Sequence, residues 1–153
     1  ASGIKIPVNY IEPQSALKDL EINSLNPEKY DYLFLLSGTE PQRSILEKSL
    51  LDKFELSTKK IILVRGSDSK IEINNKNISV INLAFGIQLK NIILSSETII
   101  CRSGYSTLMD LHVLNKNKLI LIPTPGQTEQ EYLASYWEKK FGAKIFKQNN
   151  LEI

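Results

Sequence analysis

Residues 99–111, Ile-Ile-Cys-Arg-Ser-Gly-Tyr-Ser-Thr-Leu-Met-Asp-Leu, carry an apolar run into a short hydroxyl-rich turn that opens a helical pattern. Their types suit an anion. Gly104 lets backbone approach a ligand closely, Ser103, Ser106 and Thr107 supply hydroxyls, and a helix N-terminus presents N–H groups at the positive end of its dipole. Asp110 follows about one turn later, where a carboxylate can accept hydrogen bonds from ribose or sugar hydroxyls. Ser and Thr also cap helices in proteins that bind nothing, so the turn alone leaves capping and phosphate binding both open. A second junction of the same kind, residues 119–132, runs from Leu-Ile-Leu-Ile through Pro123, Thr124, Pro125 and Gly126 to a helix start at Thr128. Two such junctions in succession point to one composite site.

Other chemistries fit poorly. Ser37-Gly38-Thr39-Glu40-Pro41 has one glycine where a dinucleotide fingerprint needs three, and it lacks the Gly-Lys-Ser/Thr of a P-loop. Ser37 and Thr39 suit either ligand contact or capping of the helix that starts near Pro41. The one histidine, His112, falls inside the helix after the turn and reads as a partly buried helical residue, not as the base of a Ser-His-Asp arrangement. No catalytic residue is identifiable, and neither zinc-type Cys/His spacing nor an Asp-x-Asp metal motif occurs.

These residues need a scaffold, and the chain is long enough to build one. It has 153 residues, 42% of them hydrophobic, which suits a single folded core. A formal charge of +2 with scattered lysines argues against nucleic acid. The lone Cys101 excludes an internal disulfide, fits a reducing compartment and reads as a buried strand residue. No apolar run approaches the roughly twenty residues needed to span a membrane, and no signal-peptide pattern appears, so a soluble protein is expected.

Residues 1–29, with Pro7, Pro13 and Pro27 and a short extended segment at 4–11, read as a linker or the remnant of a preceding domain. The absence of an initial Met and the form of residues 151–153 suggest continuation at both ends. From Tyr30 a regular rhythm sets in. Strands are expected at 32–36, 60–64, 79–83, 97–101, 118–122 and 143–146. Helices are expected from Pro41 through Ile45, Leu46, Leu50, Leu51 and Phe54, then at 88–94, 106–114 and 128–141, the last stopped by Gly142. Asn74-Asn75 has the composition of a hairpin tip. Short apolar strands alternating with amphipathic helices predict an α/β fold, a Rossmann-like, mostly parallel sheet with helices on both faces. Ligands bind such a sheet outside the carboxyl ends of its strands. That places the loops at 37–39, 65–68, 84–86, 102–106 and 123–130 on one rim, with Phe85 beside Gly86 as a candidate base contact.

The run at 101–111, followed by Leu121-Ile122-Pro123-Thr124-Pro125, then Gln130-Glu131-Tyr132 and Gly142-Ala143, resembles the C-terminal domain of the MurG-like (family 28) glycosyltransferases. Ser37-Gly38-Thr39 fits the opening loop of that domain, and the resemblance covers residues 30–153. It implies the C-terminal half of a GT-B fold, which binds the nucleotide-sugar donor, usually a UDP-sugar. Residues 30–153 would then be the donor domain and 1–29 the end of an acceptor-binding one.

Carried over by position, the resemblance puts Ser37, Gly38, Thr39, Ser103, Gly104, Ser106 and Thr107 at the donor diphosphate. Asp110, where the family commonly has the longer Glu, falls at the ribose, Phe85 and Gly86 at the base, and Gln130 and Glu131 at the donor sugar. Gly126 stands where His is frequent and Ala134 where Asn is frequent, so sugar identity does not transfer. The implied reaction is inverting, metal-independent transfer to an acceptor hydroxyl, without a cofactor. The acceptor-binding half is expected as an N-terminal domain or a separate subunit, through which peripheral association with the inner face of the membrane of a cytoplasmic protein would arise. A stand-alone donor-binding subunit is the alternative, and nucleotide-sugar epimerisation or a degenerate protein-contact domain are further ones.

Overall fold

The computed structural model describes residues 28–153; the expected linker and its extended segment at 4–11 lie outside the described residues. Strand β1 (Tyr30–Leu35) leads to helix α1 (Gln42–Lys53), β2 (Ile61–Val64) and β3 (Ile78–Ile81). Then follow α2 (Gly86–Leu94), β4 (Ser96–Cys101), α3 (Tyr105–Val113), β5 (Leu119–Leu121), α4 (Thr128–Phe141) and β6 (Lys144–Ile145). The strands form one sheet in the order β3-β2-β1-β4-β5-β6, and every neighbouring pair is parallel. The fold is Rossmann-like α/β.

The apolar runs are continuous because both faces of the sheet are covered. Period-two alternation sends Phe34, Leu63, Ile100 and Ile120 to one face, where Leu46, Leu50 and Phe54 of α1 and the following turn pack. It sends Leu33, Leu35, Val64, Ile99, Cys101 and Leu121 to the other, against Ile92 and Ile93 of α2, Leu108 and Met109 of α3, and Leu133 and Trp137 of α4. Gly142 ends α4 in the left-handed region at φ 76°, as its position predicts. His112 lies half-buried, its ring 5.3 Å from Phe141 and 6.4 Å from Trp137.

Some expectations need correction. No hairpin forms at Asn74-Asn75, since β2 and β3 are parallel and the connection must return along the sheet. The turn chemistry is nevertheless real: Asn75 Oδ1 accepts from the Asn77 N–H, and its amide donates to the carbonyls of Phe54 and Ser57, pinning the crossover to the end of α1. Helix α2 begins at Gly86, earlier than expected, with Phe85 as its N-cap. On α1, Ile45 is 44% exposed whereas Arg43 and Glu47 are buried, because the sheet-facing positions hold charges that satisfy one another. No helix among the described residues is long and apolar enough to cross a membrane.

Candidate functional site

The strand order reverses between β1 and β4, which pair directly with Leu35 opposite Cys101. The chain leaves β1 toward α1 on one face and leaves β4 toward α3 on the other, so a crevice opens between the two loops at this switch point. Ser37, Gly38 and Thr39 line one side and are exposed; Gly104, Ser106 and Thr107 stand on the other. Two sequence-predicted segments some sixty positions apart are thus brought together.

Each side has a distinct backbone. Gly38 has φ 100°, which L side chains rarely adopt. Gly104 has an ordinary extended conformation, φ −74° and ψ 148°, and a Cβ there would meet nothing within 4 Å. Neither folding nor packing requires a glycine at 104, and the space beside it is open to a ligand. Gly66, after β2, is a support: φ is +67° and a Cβ would lie 2.8 Å from the Leu36 carbonyl oxygen, so its bare backbone seats the loop after β1.

Helix α3 starts at N-cap Gly104 without a side-chain cap, and its first intrahelical bond runs from the Leu108 N–H to the Gly104 carbonyl. Of the two roles left open for the turn, Ser103 does not cap this end: it is fully buried and its hydroxyl donates to the Gln130 carbonyl at 2.7 Å. Ser106 is exposed in the first turn, and Asp110, four residues on, lies half-buried on the same face of the helix. The α1 start is capped by neither Ser37 nor Thr39; the Glu40 carboxylate accepts from the Ser44 N–H at 3.1 Å.

Buried arginines brace the rim, and no sequence signal marked them beyond charge at strand ends. After β2, Arg65 makes paired bonds of 2.9 Å to both oxygens of Glu47, which also accepts from Arg43 at 2.7 Å. Burial opposes ionisation of Glu47, but the hydrogen bonds from Arg65 and Arg43 prevail and hold its carboxyl below the usual range. After β4, Arg102 is 2% exposed and donates to the carbonyls of Ile122, Pro123 and Gln42 and to Gln148 Oε1. The thiol of Cys101, wholly buried, is pushed up to about 12 by desolvation.

At the second junction, Gln130 Oε1 accepts from the Thr124 N–H at 2.8 Å, so the side chain holds the loop after β5 and has its amide N–H groups to offer a ligand. Glu131 is exposed and borders a cavity of about 460 Å³ shared with Thr124, Gly126, Phe146 and Lys147. Phe85 is 73% exposed at the start of α2, and Gly86 has φ 57°. Among the described residues no group of three or more His, Cys, Asp or Glu side chains comes together.

The family model described as glycosyltransferase family 28 C-terminal domain matches residues 32–153. No curated protein matches the chain. Its fold is similar to that of the glycotransferase of kitacinnamycin, with TM-score 0.63 and 11% identity, covering 84% of this chain and 33% of that one. SnogD from Streptomyces nogalater gives TM-score 0.60 and 13% identity over 85% of this chain and 34% of its own. MurG from Acinetobacter baumannii gives 0.57 and 16% over 81% and 38%. The chain therefore spans between 33% and 38% of the length of these structures.

Proposed function

The chain belongs to the glycosyltransferase family 28 C-terminal domain family, and we propose that it is the donor-binding half of a glycosyltransferase that uses a UDP-sugar. The observation that carries this reading is the pairing of β1 with β4, which sets the exposed 37–39 loop across the crevice from the uncapped start of α3. A diphosphate between them meets backbone donors and the positive end of the α3 dipole. Asp110, on the Ser106 face, accepts from ribose hydroxyls; Phe85 and Gly86 contact the base; Gln130 and Glu131 face the sugar.

Transfer on this reading proceeds with inversion. The acceptor oxygen attacks the anomeric carbon as the bond to the diphosphate oxygen breaks, and the electron pair leaves on the nucleoside diphosphate. Preorganised donors at the α3 start stabilise that growing charge without a metal ion. The acceptor and the group that removes its proton belong to an acceptor-binding half, in the same polypeptide or as a separate subunit that brings peripheral membrane association with it. Calorimetry tests the reading: the chain binds UDP and a UDP-sugar but transfers nothing alone. No nucleotide binding at millimolar ligand would overturn it.

A further inference from the structure

Among the described residues, Arg102 is the one buried cation of the rim whose hydrogen-bond acceptors are all uncharged. Its neighbour in kind, Arg65, is matched by Glu47; Arg102 donates only to the carbonyls of Gln42, Ile122 and Pro123 and to the amide oxygen of Gln148. Those acceptors belong to the start of α1, the end of β5 and the segment after β6, so the guanidinium lies in the floor where three rim segments converge. It precedes Ser103 and Gly104 directly in the chain. A buried charge is retained at a cost unless something compensates it, and carbonyl dipoles compensate only in part.

Resting on the donor-site reading above, we propose that Arg102 is a positioning residue whose uncompensated positive charge is completed by the nucleoside diphosphate bound over it. The guanidinium draws the rim segments together and holds a permanent positive potential beneath the crevice, while the backbone donors above it make the direct contacts. Burial lowers its pKa to about 10, which still leaves it charged at neutral pH. The anion is thus held from below by charge and from above by hydrogen bonds, and the group that leaves during transfer is the one the charge favours.

Binding of uridine, UMP and UDP, measured by calorimetry on the full chain, tests this. Arg102→Gln should weaken UDP by roughly tenfold or more, UMP by less and uridine hardly at all, because a lost charge scales with ligand charge. Arg102→Lys should keep part of the UDP affinity. Gln148→Glu supplies the missing carboxylate without removing the arginine, and so keeps the assay informative if Arg102→Gln does not fold. It should weaken UDP several-fold, leave uridine unchanged and leave the melting temperature level or higher. Equal losses for all three ligands in Arg102→Gln, or undiminished UDP binding in Gln148→Glu, would overturn the proposal. A wild-type chain that binds no UDP would instead remove the donor-site reading on which it rests.

Discussion

The Ser103 hydroxyl donates to the Gln130 carbonyl at 2.7 Å, tying the loop after β4 to the first turn of α4. The bond joins the candidate diphosphate segment to the candidate sugar segment across 27 residues of chain, so the two cannot shift independently. Ser103→Ala should lower stability by about 1 kcal/mol, the usual net worth of one hydrogen bond. Affinity for a UDP-sugar should fall more than affinity for UDP, since the displaced element is the one carrying Gln130 and Glu131. Urea denaturation and parallel titrations check both; an equal loss for the two ligands would argue against coupling.

Two glycines on the rim should respond in opposite ways to the same change. Gly104→Ala meets an ordinary φ and open space, so the fold should keep its stability within about 0.5 kcal/mol. Nucleotide affinity should drop by roughly tenfold or more, because a methyl would occupy the space the ligand needs. Gly66→Ala meets φ +67° and a carbonyl oxygen 2.8 Å away, so it should destabilise the fold by about 1–3 kcal/mol. Thermal melts beside binding titrations separate the two effects.

Much of this arrangement was legible in the sequence, for identifiable reasons. Strands such as Ile61–Val64 are buried along their whole length, so they read as unbroken apolar runs, and parallel strands with crossover helices place their loops on one rim. Asn75 shows where such reading stops, because a local Asx turn says nothing about the direction of the next strand. Arg43, Glu47 and Arg102 were illegible, since a charge within a helix or at a strand end reads as solvated until its partners are known. The role of Gly66 depends on Leu36, thirty positions earlier, and no local pattern carries it.

The buried pair of arginines on Glu47 should govern part of the acid sensitivity. The folded carboxyl titrates below its ordinary 4.5, so under pH 4.5 the unfolded chain takes up a proton that the folded chain refuses. The stabilisation is present above pH 4.5 and is lost as pH falls through the folded value. Glu47→Gln should cost about 3 kcal/mol near neutrality, because Arg43 and Arg65 then lose their common buried counter-charge. The difference in stability between wild type and variant should shrink as pH falls below 4.5, measured by denaturant unfolding across that range.

Asp110 offers the cleanest separation of a working donor site from an inert fold. It sits one turn beyond Ser106 on the same helix face, half-buried, and on the proposed reading a ribose held against the α3 start presents its hydroxyls to this carboxylate. Asp110→Ala should weaken UDP by about fivefold, the equivalent of roughly 1 kcal/mol for one lost hydrogen bond. With a UDP analogue lacking both ribose hydroxyls, wild type and variant should bind alike, since the analogue offers the carboxylate no hydroxyl. A variant that weakens both ligands equally would place the effect in the α3 helix itself, and one that weakens neither would remove Asp110 from the site.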